Sequence, residues 1–581
     1  MCGVNFIYKK RLGQKELKAA IDRMNQITKH RGPDKTSAVV GENFAAGFNR
    51  LEIVGGKAGF QPIFNEDKTI ILIGNGEIFN YKKLIAEELS DHKFNTTSDI
   101  EVILHLYEKY KKNLVLYLEG QFSFVIYDIK NNKIFFGRDK FGIIPLFYFE
   151  KNGLFIISSE IKGLIASSLI KNVSLDLKGI SELWFFYGPI PPKTCFYDIR
   201  QLPPASIGTY DVKKSKVITK KYYNFGEKCN YINYPSADKK LYRLLKDSVN
   251  KRLQGDFIPG VYISGGIDSS AIAYLVNSIC SNKIKLFGIS FFDKRYDELK
   301  FQQILAKSLN CGLEIVKINI VDIKNGLTNC IFHTESPLTR LAPVPMMLLS
   351  ERVRDCGIKF VLCGEGADEL FLGYPVFLKN KVSFQDKWED NKKILEYFRK
   401  QSIGKYIENK FQRFNKNNGL NKLDFLRKKE IDSKLSQYLL TNQGDRTALA
   451  FGIEQRFPFL DDSIVKFAKS LNKKDLIDDG QGKSVLRKCF RNLLPPQIVN
   501  RKKQGYLAPD ENVILSILSD NWFLPFLSKA TTDKVKVFKY NKVRDLINRI
   551  SIREYKDIDI KKIIFILTTH ILYNKFIKKV N

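Results

Sequence analysis

Val261-Tyr262-Ile263-Ser264-Gly265-Gly266-Ile267-Asp268-Ser269-Ser270 runs from a short apolar strand through a glycine turn into a helix. The helix is read from apolar residues at Ile272, Leu275, Val276 and Ile279, a spacing of i, i+3, i+4, i+7. Paired glycines and hydroxyls at a helix N-terminus turn backbone N–H groups toward an anion, and the helix dipole adds to the attraction. Asp268 in the same turn is a carboxylate suited to a Mg2+ ion on that anion. The Gly-Lys-Ser/Thr ending that grips a γ-phosphate is missing. A phosphate loop without that lysine suits released pyrophosphate, and therefore adenylation.

Around this run, strand-like stretches at 261–263, 286–291, 313–318 and 360–363 alternate with helical ones, which predicts a parallel, doubly wound sheet. Ligands of such sheets bind at the carboxyl ends of strands. The glycine turn falls at one such end. The acidic turn Cys363-Gly364-Glu365-Gly366-Ala367-Asp368-Glu369 falls at another, and glycines flanking carboxylates make an open site for a metal and reacting groups. Beyond about residue 376 the pattern is mostly helical. Before about residue 215 it is different: short apolar runs at 70–73, 122–127, 134–136 and 154–157, with helical periodicity at 17–27 and 100–110, predict an α+β layered unit. Polar, Lys-rich and Tyr-rich sequence between 203 and 235 marks the junction, giving domains at 1–212 and 236–581.

The length of 581 residues exceeds one hydrophobic core. The net charge of +33 invites a nucleic-acid reading, but Lys and Arg are dispersed among Ile, Asn, Phe and Tyr and form no patch, so nucleic acid is not an expected partner. Nine scattered cysteines without a Cys-x-x-Cys pair suit reduced thiols in a cytoplasm. Lys9, Lys10 and Arg11 interrupt the N-terminus before any signal-peptide core, and the apolar stretch 560–576 is broken by Lys561, Lys562 and Asn574, so neither export nor a membrane is expected.

Cys2 follows the initiator Met, and a small second residue favours Met removal. A mature N-terminal Cys carries its own base, because an α-amino group has a pKa of roughly 8, and a thiol needs little help to become a nucleophile. Its company is His30-Arg31-Gly32-Pro33-Asp34, Arg50-Leu51, Asn75-Gly76-Glu77 and Ser98-Asp99. These residues resemble the class II glutamine amidotransferases, with their N-terminal-nucleophile fold. The resemblance implies that Cys2 hydrolyses glutamine, that Arg50 binds its α-carboxylate, that Glu77 and Asp99 hold its α-amino group, and that Asn75 and the Gly76 N–H form the oxyanion hole.

The glycine and acidic turns together look like the glutamine-hydrolysing asparagine synthetases, over nearly the whole chain. Further matches are Arg138-Asp139, Ser159-Glu160-Ile161-Lys162, the run from Arg456 to Asp461, Lys483 to Arg487, and Arg501 to Pro509. The resemblance implies an ATP pyrophosphatase-type synthetase domain with a helical C-terminal part. In it Ser264, Gly265, Gly266, Asp268, Ser269, Ser270 and Gly364 bind ATP, Asp268 and Asp368 ligate Mg2+, Glu365 deprotonates the attacking ammonia, and Lys483 stabilises pyrophosphate and the acyl-adenylate. Glutamine, ATP and aspartate are the implied substrates, and a homodimer is the assembly allowed for. Three departures stand out: Gln455 for a usual Ala, Leu372 for a usual Gly, and the segment 333–346, which borders the acceptor site. An amidotransferase acting on another carboxylate, such as a cell-envelope sugar acid, a peptidoglycan acid or a secondary metabolite, is the first alternative. A catalytically idle regulatory relative is the second.

Overall fold

The computed structural model describes residues 2–578 apart from 228, 282, 379–383 and 418. The N-terminal half holds two six-stranded antiparallel sheets, one containing Gly3–Lys9 and Phe44–Arg50, the other Ile70–Ile78 and Gly120–Asp128. Strand Ile70–Ile78 explains the layering. Successive side chains point to opposite faces, so Ile71 and Ile73 enter a core with Phe6, Phe48 and Phe136, while Ile70 and Leu72 enter a second core with Ile103, Leu106 and Phe124. Helix Val102–Tyr110 covers that second face. Helix Gln14–Ile27 covers the other sheet through Leu17, Ile21 and Met24. The result is helix, sheet, sheet, helix. Each fully buried Ile, Leu or Phe contributes about 1.5–3 kcal/mol.

Lys216–Lys221 pairs with Ser206–Asp211 along its length, carrying this sheet past residue 212, and the next regular element is helix Ala237–Arg252. The second half is built on a five-stranded sheet whose strands run Gly312–Ile318, Lys285–Phe291, Gly260–Tyr262, Phe360–Leu362, Glu454–Arg456, all parallel. In chain order this is 3-2-1-4-5. The order reverses between Gly260–Tyr262 and Phe360–Leu362, and a crevice opens outside the carboxyl ends at such a switch point. The glycine turn leaves one of these two strands and the acidic turn leaves the other. Helix Asp557–Phe576 absorbs the apolar C-terminal stretch into the core. Among the described residues no helix is long and apolar enough to cross a membrane.

The halves are joined by buried charge. Arg31 forms a two-pronged pair with Asp445, both contacts at 2.9 Å, and also reaches Glu160 at 3.1 Å. Arg446 lies 2.9 Å from Glu335 and 3.3 Å from Glu160. Glu335 in turn accepts the Ile161 and Lys162 N–H groups at 2.7 and 2.6 Å, at the start of helix Ile161–Ala166. The motif Ser159 to Lys162 thus serves the interface.

Candidate active sites

Cys2 enters strand Gly3–Lys9, which pairs with Phe44–Arg50 so that Gly3 faces Asn49. That register brings Leu51 against the thiol, its N–H donating to Cys2 Sγ at 3.4 Å. The Cys2 N–H donates to Asn75 Oδ1 at 2.5 Å, while the buried Asn75 Nδ2 has no partner. An unpaired buried donor costs about 1–3 kcal/mol, and here it sits beside a nucleophile, where an oxyanion would satisfy it. Gly76 has φ +130°, and a Cβ there would lie 1.9 Å from the Gln121 carbonyl oxygen. Only glycine fits. Burial pushes the Cys2 thiol pKa up.

Arg50 is anchored through Nη2 to the Gly56 and Val54 carbonyls at 2.5 and 3.3 Å. Asp99 accepts the Ile78 N–H at 2.6 Å, and burial raises its pKa to about 6. Glu77 lies 3.0 Å from the Arg456 guanidinium, yet burial still pushes its carboxyl well above the ordinary value. Arg456 comes from the outermost strand of the parallel sheet, so one residue of the second half enters the charge set of the first site. Its neighbour Gln455, in place of the usual Ala, accepts from Gln121 Nε2 through its carbonyl at 2.9 Å and keeps a buried, unpartnered side-chain Nε2.

At the crevice, the glycine turn is folded on itself: Ser264 N–H donates to Ser269 Oγ at 3.2 Å and Gly266 N–H to Ser264 Oγ at 3.3 Å. Helix Ile267–Ile279 follows directly. The acidic turn presses against it, because a Cβ on Gly364 would fall 2.8 Å from Ser269 N and 3.0 Å from the Asp268 carbonyl carbon. Lys483 Nζ bridges Asp268 and Asp368 at 2.6 and 2.5 Å, and Lys503 reaches Asp368 at 2.5 Å. Burial opposes ionisation of Asp368, but these two ammonium groups hold its carboxyl below the ordinary range. The two carboxylates converge, and the buried Asp268 Oδ1 lacks a hydrogen bond. All-oxygen donors of this kind fit Mg2+.

Glu365 lines the same cavity with Oε2 unpartnered, and burial raises its pKa to about 7. Glu369 accepts from the Tyr374 hydroxyl at 2.7 Å, and burial raises it likewise to about 7. Arg340, Lys434, Tyr438 and Tyr506 line the same cavity, with Lys434 Nζ 3.5 Å from the centre of the Tyr374 ring. The Tyr438 and Tyr506 hydroxyls are buried without partners, and Arg340 makes no hydrogen bond or ion pair among the described residues. Leu372 has φ +61°, a left-handed conformation that accounts for the usual glycine there. Its side chain is fully buried, and that packing offsets the strain.

The structure therefore brings Cys2, Arg50, Asn75, Gly76, Glu77 and Asp99 to one site, and Ser264 to Ser270, Gly364, Glu365, Asp368 and Lys483 to another. Arg31, Arg340, Arg456 and Lys503 also stand at these sites or between them, with no role that sequence alone assigns. The first three lie inside matched or quoted segments, but what each one touches is set by elements far away in the chain. Lys503 carried a usable signal, as a lysine two residues after Arg501 in a matched segment.

Residues 240–558 match the family model described as asparagine synthase, and residues 1–223 match the glutamine amidotransferase domain. Glutamine-hydrolyzing asparagine synthetase 1 of Bacillus subtilis is 28% identical, covering 92% of this chain and 91% of that protein. Asparagine synthetase B of Escherichia coli is 28% identical over 87% of this chain and 82% of that one. Asparagine synthetase 1 of Arabidopsis thaliana is 30% identical over 87% of this chain and 78% of its own length.

Proposed function

This chain belongs to the asparagine synthase family, and from that membership we propose that it is a glutamine-dependent asparagine synthetase, an ATP-dependent carbon–nitrogen ligase. The observation that carries the reading is the meeting of the glycine and acidic turns at the sheet's switch point, with Glu365 and Lys503 lining one cavity and Lys483 on Asp268 and Asp368 at its edge. In the first site Cys2 Sγ attacks the glutamine carboxamide carbon. Asn75 Nδ2 and the Gly76 N–H take the oxyanion charge, ammonia leaves, and water hydrolyses the thioester to glutamate. Arg50 pairs with the substrate α-carboxylate, and Asp99 with Glu77 takes the α-ammonium. In the second site a carboxylate oxygen of aspartate attacks the α-phosphorus of ATP and pyrophosphate leaves. The turn from Ser264 to Ser270 and Lys483 hold the phosphates. Ammonia then attacks the acyl carbon, AMP leaves, and Glu365 takes a proton from the nitrogen, a task for which a pKa near the working pH is suited. Asp268 and Asp368 would hold Mg2+, which supplies positive charge against the phosphates. Free ammonia protonates and escapes in water, so an enclosed passage between the sites belongs to this reading.

Arg340, with the hydroxyls of Tyr438 and Tyr506, supports an acceptor bearing a second carboxylate, as aspartate does. A sugar acid with one carboxylate leaves the guanidinium unpaired. All nine cysteines are free thiols, which supports a reducing, cytoplasmic location. Purified protein given ATP, Mg2+ and glutamine is expected to release pyrophosphate only when aspartate is added. Turnover with another acid but none with aspartate overturns the acceptor assignment. No turnover with any acid favours the idle relative.

A further inference from the structure

Two of the chain's five histidines stand together outside both sites. His105 and Glu108 are one turn apart on helix Val102–Tyr110, and His92 lies in the turn after helix Tyr81–Glu88, its N–H donating to the Leu89 carbonyl at 3.0 Å. One nitrogen or oxygen from each of His92, His105 and Glu108 falls within 4.8 Å of the others. Glu108 Oε2 is 3.1 Å from His105 Nδ1 and 3.9 Å from His92 Nδ1. Tetrahedral zinc with bonds of about 2.0 Å places its ligand atoms about 3.3 Å apart, so small side-chain rotations close the set.

The atoms behind these three are arranged as a metal site requires. A ligating histidine presents its other ring nitrogen to a carboxylate, which fixes the tautomer and strengthens the ligand. His105 Nε2 faces Glu101 Oε1 at 3.5 Å, both side chains fully buried. Glu101 is itself held by the Asn95 and Thr96 N–H groups, both at 2.7 Å, and by the Thr96 hydroxyl at 2.5 Å. Glu108 Oε1 accepts from Asn65 Nδ2 at 3.0 Å, which leaves Oε2 for the cluster. His92 and Glu108 are partly exposed, so a cation has an entry path and a fourth position open to water.

We propose that His92, His105 and Glu108 bind a divalent zinc-class cation, with Glu101 and Asn65 as the positioning residues behind them. Imidazole nitrogens select this class over Mg2+. The segment 92–101 joins helix Tyr81–Glu88 to helix Val102–Tyr110, carries Asp99 and wraps Glu101, so occupancy holds this helix-to-helix loop beside the Cys2 site.

The proposal is independent of the synthetase reading. Full-length metal-free protein is titrated with Zn2+ against a chromophoric chelator, alongside His92→Ala and Glu108→Gln, with Co2+ substitution reporting ligand type. One equivalent is expected in the wild type that is absent in His92→Ala and weakened at least about tenfold in Glu108→Gln, a loss in line with disturbed metal sites. The Co2+ spectrum is expected to be tetrahedral with nitrogen and oxygen donors. The two substitutions lie on separate segments and partly exposed positions, and circular dichroism and thermal midpoints of the metal-free proteins that match the wild type confirm their folding. Equal stoichiometry and affinity in all three proteins, or a cobalt–thiolate band assigning the metal to cysteine, overturns the site.

Discussion

Around Cys2 the polar groups are held by backbone and by strand register. Asn75 is fixed by the Cys2 N–H, Asp99 by the Ile78 N–H, and Gly76 by the close Gln121 carbonyl. Around Asp268 the charges are held by one another, with Lys483 and Lys503 lying on the two carboxylates. The first site is preorganised and holds one orphaned donor, Asn75 Nδ2. On the proposed function, the second exchanges lysine–carboxylate pairs for phosphate and cation contacts when ATP binds. A site of the first kind is sensitive to single atoms. A site of the second kind is sensitive to charge and pH.

The largest expected effect separates the two. Cys2→Ala should abolish glutamine-dependent synthesis while leaving synthesis from ammonium intact; loss of both would join what the comparison keeps apart. Gly76→Ala should act in the same direction, because its Cβ meets the Gln121 carbonyl, and glutaminase assays should fall to near the Cys2→Ala level while pyrophosphate release from ammonium persists.

Glu365→Gln should lower amide formation from both nitrogen sources by about 10²–10⁴-fold, the usual contribution of a positioned base. Burial raises the folded pKa of Glu365 to about 7, so its deprotonated fraction grows as pH rises through 7. At fixed free ammonia the wild-type rate should climb over that interval, and the variant should lose this limb. A wild-type profile flat between pH 6 and 8 would remove Glu365 as the base.

Arg31→Ala tests the clamp between halves. It leaves Asp445 buried without its partner, a change that costs about 3–5 kcal/mol, and it frees the Cys2 carbonyl that Arg31 Nε holds at 3.2 Å. A lower thermal midpoint with more ammonia leaked per asparagine formed is expected. Arg340→Ala has the smallest expected effect, a rise in aspartate KM of about 10–100-fold for a lost charged hydrogen bond, with ATP KM little changed. An unchanged aspartate KM would leave the second carboxylate without a partner in this cavity.

Much of this was legible in the chain. The i, i+3, i+4, i+7 pattern after Ser264 gave the helix that the turn caps, and alternation of apolar residues gave the layered half. Apolar pattern marks only four residues of strand Ile70–Ile78, because Gly74, Asn75 and Gly76 are poor strand formers, whereas in the fold they continue the ladder opposite Phe124, Ser123 and Phe122. Within the compositional shift at 203–235, Lys216–Lys221 is a mostly exposed, Lys-rich edge strand, and such edges look like linker because they face water and repel other edges.

The sequence by itself determined which chemical groups are present, where the turns that display them fall, and that two layered units of different class follow one another. Those are local properties, written in spacing and in the needs of glycine and hydroxyl residues. Only the tertiary structure decided that Arg456 of the last parallel strand lies against Glu77, that Arg31 reaches Asp445 across 414 positions of chain, and that Lys503 shares Asp368 with Lys483. Buried charges must be paired wherever the fold places a partner, and sequence distance carries no information about which partner that is.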